Sequence, residues 1–171
     1  MKSKNIIILL AIICIFFLSI FFLYKIIQIT KHREITRQNF PAFRLFDLEG
    51  DLFTQNSLKR NVPALFLYFD PECETCHWEF KQIKSNQNDF HNSQIIFFTT
   101  QPADTIIHFL NSIAFKPSSN MIFLIDSQAE LLKTIEIKGP PTSLIYNKNG
   151  ELIKRFDGPV KVETLIKYLS E

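Results

Sequence analysis

Phe69–Phe80 reads FDPECETCHWEF, with Cys73 and Cys76 two residues apart, His77 directly after the second cysteine, and acids close on both sides. The stretch is entered from VPALFLYF (Val62–Phe69), a continuous apolar run rich in aromatics, the pattern of a strand buried on both faces. From Cys73 to about Asn88 apolar and polar positions alternate at helical spacing, and Cys76, Phe80 and Ile83 fall on one face. A strand therefore leads into a cysteine pair at the start of a helix. Thiols at positions 1 and 4 there can close a disulfide through the first turn. The first thiol meets the positive end of the helix, which stabilises its thiolate, and the second lies one turn deeper. In that scheme Cys73 is the nucleophile and Cys76 the resolving thiol.

The same letters allow other chemistry. Cys-x-x-Cys-His is also the attachment pattern of a c-type haem, for which Met121, His91 and His108 are nominal distal ligands. A structural zinc site would need a second Cys/His pair at comparable spacing, which the chain lacks. The dithiol reading requires no cofactor.

Around this stretch the chain reads as one α/β domain. FRLFDLEGDLF presents two short apolar stretches around Glu49-Gly50-Asp51, a hairpin signal. SQIIFFTT (Ser93–Thr100) reads as a second buried strand, ADTIIHFLNSI as a helix with Asp104 as its cap, and MIFLID as strand-like. TSLIYNKNGELIKRF gives two strands joined at Asn147–Gly150, and VKVETLIKYL an amphipathic terminal helix. This order implies a mixed sheet covered on both faces by helices.

At the other end, Ile6–Tyr24 runs without a charge, long enough at ~1.5 Å per residue to cross a ~30 Å hydrocarbon core as a helix. The run ends in Phe-Phe-Leu-Tyr-Lys, without the small residues of a cleavage site, which favours an uncleaved signal anchor. Residues 1–24 are thus expected to be a membrane anchor, 25–38 a polar juxtamembrane linker, and 39–171 the folded domain. Ile13 precedes Cys14 where lipidation would need a small residue, so Cys14 reads as a lipid-facing apolar residue. Lys25, Lys31, Arg33 and Arg37 follow the span against Lys2 and Lys4 before it, a count that leans toward a cytoplasmic domain.

The formal charge of +2 belongs to the first segment: residues 39–171 carry 13 Lys/Arg against 16 Asp/Glu, a net of −3. Such a surface offers no electrostatic case for binding nucleic acid.

Several motifs together give a family resemblance: Pro41-Ala42-Phe43, the strand into Cys73-Glu74-Thr75-Cys76, Glu79 three residues on, and GPPTSLIYNKNG from Gly139. In these the chain resembles the thioredoxin superfamily, specifically the membrane-anchored TlpA-like and ResA-like thiol-disulfide oxidoreductases, over nearly all of residues 40–171. The resemblance implies a thioredoxin-like mixed sheet flanked by helices, behind one N-terminal transmembrane helix. It implies that Pro141 is cis and packs against the dithiol, with Pro140, Pro141 and Thr142 shaping the substrate surface. It also implies that Glu79 exchanges protons with the resolving thiol. Two positions depart from the family. Pro140 has no N–H to offer an incoming peptide, and Glu72 stands where Trp is common. With Asp70 and Glu74, Glu72 is expected to disfavour the thiolate, giving a thiol less acidic than that of the strong oxidants.

The resemblance and the dithiol together imply an extracytoplasmic disulfide reductase, single-pass in the cell membrane, its domain facing the periplasm or the exterior because disulfide traffic belongs outside the cytosol. That location runs against the charge count. The expected partners are disulfide-containing extracytoplasmic proteins, with apocytochrome c one candidate, and a membrane thiol donor that recycles the dithiol. A thioredoxin-like module that only binds a partner stays open as a third reading, beside the haem protein.

Overall fold

Seven strands form one sheet in the order β2-β1-β5-β4-β3-β6-β7. The computed structural model describes residues 12–27 and 40–170. The chain divides into two units, 1–36 and 37–171. In the first, residues 12–27 form a helix, α1, whose apolar side chains, Phe17 and Phe22 among them, are exposed. Among the described residues no helix is long and apolar enough to cross a membrane. Residues 6–11 of the expected span, and the expected linker from residue 28 onward, lie outside the described residues.

In the second unit a hairpin comes first, β1 (Arg44–Asp47) and β2 (Leu52–Thr54), turning through Gly50, whose φ of 90° suits glycine. Next come β3 (Ala64–Tyr68), α2 (Glu74–Ser85), β4 (Gln94–Thr99), α3 (Ala103–Ser112) and β5 (Met121–Ile125). The chain ends with the short α4 (Glu130–Thr134), β6 (Thr142–Tyr146), β7 (Leu152–Asp157) and α5 (Val162–Leu169). β3, β4 and β5 are parallel, while β6 runs antiparallel to β3 and β1 antiparallel to β5. The sheet is mixed, as the order of elements implies.

The apolar runs supply both layers of the core because successive strand residues point to opposite faces. Leu65, Leu67 and Phe69 of the β3 segment, with Ile95 and Phe97 of β4, enter one layer. Helices α2, α3 and α5 cover it through Cys76, Phe80 and Ile83, through Ile106 and Phe109, and through Leu165 and Leu169. Ala64, Phe66, Tyr68, Ile96 and Phe98 enter the other layer, under Phe43, Leu58, Leu131 and Ile135. The first layer is built on packed rings: Phe97 stacks on Phe123 at 4.6 Å between centroids and lies 4.9 Å from Phe80.

Two expectations change. Asp104 does not cap α3: Pro102 holds the cap position without a side-chain bond, and Asp104 sits in the first turn, where its charge still complements the helix dipole. The α4 turn was not expected. It is held by the buried Asp126, whose Oδ1 and Oδ2 accept from the backbone N–H groups of Glu130 and Leu132 at 2.8 and 3.0 Å.

Candidate active site

The antiparallel pairing of β3 with β6 sets Tyr68 opposite Thr142 and Leu67 opposite Ser143. The chain leaving β3 toward Cys73 therefore emerges beside the chain entering β6 from Pro140-Pro141. Asp70 shapes the turn between β3 and α2. Its Oδ1 accepts from the Glu72 N–H at 2.8 Å, its carbonyl accepts from the Cys73 N–H at 3.0 Å, and Gln101 Nε2 donates to its Oδ2 at 3.1 Å. The turn delivers Cys73 to the N-cap of α2, where its sulfur accepts from the Cys76 N–H at 3.4 Å. Thr75 Oγ1 lies 3.1 Å from the same sulfur.

The two thiols, both free, differ in setting. Cys73 is half-buried, whereas Cys76, one turn deeper, is 0% exposed. Burial alone would raise the Cys73 pKa, but hydrogen bonds from Cys76 and Thr75 outweigh it and hold the thiol below its ordinary value. Cys76 is raised, first by burial and then by its hydrogen bond to Cys73. The lowering agrees with the thiolate stabilisation expected at the start of a helix, while Asp70, Glu72 and Glu74, expected to oppose it, are not among its causes. Glu72 and Glu74 are exposed, so water screens them, and Asp70 is committed to the turn.

Glu79 is 1% exposed. Burial pushes its carboxyl up to about 8, against smaller lowering effects from the Val160 backbone and the Ser143 hydroxyl. Ser143, itself buried, donates to Glu79 Oε1 at 3.5 Å, while Oε2 meets no hydrogen-bond geometry among the described residues. The negative charge of Glu79 in turn contributes to the raised pKa of Cys76. A carboxyl and a thiol thus lie one turn apart on the buried face of α2, and the charge of the carboxyl raises the cost of the thiolate.

The Pro140–Pro141 peptide bond is cis. Pro140 is exposed and Pro141 buried, and the Cys73 thiol donates to the Pro140 carbonyl at 3.8 Å. Pro140 thus presents a carbonyl to the thiol, the backbone group that proline still has. Thr142 is buried, and its hydroxyl donates to the Gly139 carbonyl at 2.7 Å. The structure accordingly brings Cys73, Cys76, Glu79 and Pro140 to one locus, with Pro141 and Thr142 as the buried base of the adjoining loop. Two contributors escaped the sequence reading. Thr75 lies inside the motif and its hydroxyl was legible there, whereas nothing local ties Ser143 to Glu79, 64 residues away.

His77 does not suit haem attachment. Its Nε2 donates to the Pro71 carbonyl at 2.6 Å and its ring packs on Phe109 at 4.9 Å, so the ring is held by the protein. Thioether bonds would also need Cys76, which faces the core rather than solvent.

Among solved structures the fold is similar to StoA from Bacillus subtilis, with 20% identity and a TM-score of 0.61 over 76% of this chain and 96% of that one. It is also similar to a secreted Mycobacterium tuberculosis disulfide oxidoreductase homologous to E. coli DsbE (17%, TM-score 0.63, 75% of this chain and 94% of that one). A thioredoxin-like protein from Neisseria meningitidis matches at 22% identity with a TM-score of 0.63, over 76% of this chain and 86% of that one. No curated protein matches the chain by sequence. The model of the thioredoxin-like domain family matches residues 51–171, which take in the cysteine pair, the cis-proline loop and every element from β2 to α5, and the chain belongs to that family.

Proposed function

We propose that the chain is a thiol-disulfide oxidoreductase that reduces disulfides in partner proteins outside the cytosol, anchored to the membrane through its apolar N-terminal run. The observation that carries the redox reading is the asymmetry of the pair: a half-buried Cys73 with a lowered pKa at a helix cap, and a buried Cys76 beside Glu79. The Cys73 thiolate attacks one sulfur of the partner's disulfide. A mixed disulfide forms, and the other partner sulfur leaves as a thiolate that takes up a proton. Cys76 then gives its proton to the Glu79 carboxylate and attacks Cys73 Sγ. The Cys73–Cys76 disulfide closes, and the second partner sulfur leaves. The partner has gained two electrons and the dithiol has lost two.

Glu79 suits both directions of this step. With its carboxyl at about 8, a small ionised fraction at neutral pH can accept the Cys76 proton, and the abundant acid form can return it when the disulfide is reopened. The uncharged run Ile6–Tyr24 supports the anchor, and the dithiol chemistry supports an oxidising compartment. A membrane thiol donor would recycle the pair, and extracytoplasmic disulfide proteins such as apocytochrome c would be its substrates.

A redox titration of the whole chain, followed by alkylation and mass spectrometry of Cys73 and Cys76, tests this. A midpoint at or below about −230 mV is expected for a reductant; one near about −120 mV would make the chain a disulfide donor, and a pair that never closes would end the proposal.

A further inference from the structure

Two shallow clefts meet at Glu72 and His77, at the start of α2. One, about 490 Å³, lies between the start of α2 and α3, floored by Phe109 and edged by Glu72, His77 and Asp104. The other, about 520 Å³, runs along α2 between Glu72, Glu74, Trp78 and Lys81. Glu72 and His77 line both, so the two adjoin as one groove across the start of α2, with Glu72 the residue just before Cys73.

Three observations describe what this groove would hold. Glu72, Glu74 and Asp104 are exposed, and none joins an ion pair among the described residues. Trp78, the chain's one tryptophan, is 45% exposed, and no ring or cation of the described residues covers it. Lys81 is the single lysine lining the groove, against the carboxylates of Glu72, Glu74 and Asp104. An exposed tryptophan flanked by carboxylates is the environment in which a guanidinium is held by its face and by its charge together. Unpartnered tryptophans at a surface are also the residues that dominate protein interfaces.

We infer that this groove docks an extended, arginine- or lysine-bearing segment flanking the partner's disulfide, with a cation over Trp78 between Glu72 and Glu74 and a second near Asp104. The inference rests on the reductase reading for the identity of the partner, but not for the binding. Glu72 lines both halves of the groove and directly precedes Cys73 in the chain, so a segment held there lies at the helix start that carries the nucleophile. Electrostatic complementarity of this kind sets partner choice and rate of encounter more than final affinity.

The experiment uses the whole chain and cysteine-free peptides, read by Trp78 emission. A peptide with two arginines spaced along an extended stretch should change the emission saturably; its glutamate counterpart should not. Binding should weaken by about tenfold or more between low and physiological salt, and similarly in the Glu72→Gln/Asp104→Asn double variant, whose changes are confined to exposed side chains. Equal binding of both peptides, or no saturable change with either, would overturn the inference. Disulfide-linked versions of the two peptides separate it from the reading beneath it. Reduction of the basic one about tenfold faster in kcat/KM supports the groove. Reduction of both at one rate sinks the groove and leaves the reductase standing. Binding of the basic peptide with reduction of neither leaves the groove and removes the reductase.

Discussion

The Ser143 hydroxyl, on β6, donates to Glu79 Oε1, on α2, at 3.5 Å, across 64 residues of chain and inside the core. The packing of α2 onto the sheet makes Glu79 a buried acid rather than a solvated one, and Ser143 is the side chain that meets it there.

The cost of that burial should appear in the pH dependence of stability. Glu79 is raised from an ordinary value of 4.5 to about 8 in the fold. Between those values the folded chain keeps a proton that the unfolded chain releases, so stability is greatest below 4.5, falls as pH rises, and reaches its floor above about 8. Glu79→Gln removes this dependence. The variant should therefore gain on the parent as pH rises, by on the order of 2–4 kcal/mol between pH 5 and pH 8.5. Urea midpoints at the two pH values read it directly; a difference between the proteins that does not change with pH would refute the account.

The same variant tests the proton step. Glu79→Gln should slow closure of the mixed disulfide by about a hundredfold while leaving the first attack by Cys73 much less affected. Quenched-flow trapping with a model disulfide would then show the mixed species accumulating. Equal slowing of both steps would mean that Glu79 acts on Cys73 rather than on Cys76.

Burial separates the thiols more than sequence does. Iodoacetamide should modify Cys73 at least about a hundredfold faster than Cys76 at neutral pH, and Cys76→Ser should trap a stable mixed disulfide through Cys73. Peptide mapping by mass spectrometry decides it; comparable labelling of the two would contradict the buried position of Cys76.

Thr75 holds its hydroxyl 3.1 Å from the Cys73 sulfur and helps to lower its pKa. Thr75→Ala should raise that pKa and slow alkylation of Cys73 at neutral pH by about two- to fivefold, with Thr75→Ser close to the parent. Thiolate absorbance followed against pH is the measurement. A loss of rate with the thiol titration unmoved would make Thr75 a steric element only.

In the core, Phe97 packs against Phe69, Phe80, Phe115 and Phe123. Truncation to alanine leaves a cavity that its ring partners cannot close, so Phe97→Ala should cost ~3–5 kcal/mol by urea unfolding. A cost under about 1 kcal/mol would mean that the aromatic layer is loosely packed.

Much of this was legible in the letters. VPALFLYF and SQIIFFTT read as strands buried on both faces, and in the fold successive residues of each enter opposite apolar layers. Helical spacing placed Cys76, Phe80 and Ile83 on one face, so the depth of the second thiol came from its position in the motif. Local periodicity and local motif carry that information because strands and helices repeat over a few residues. The burial of Glu79, its Ser143 contact and the setting of α2 beside α3 at Phe109 were not legible. Each is a relation between segments that are distant in the chain: β3 paired with β6, and α2 set beside α3. Whether an acid is exposed or buried depends on which surface folds over it. That was decided by the packing of the sheet and its helices, through desolvation and hydrogen bonds that act only across a few ångströms of space.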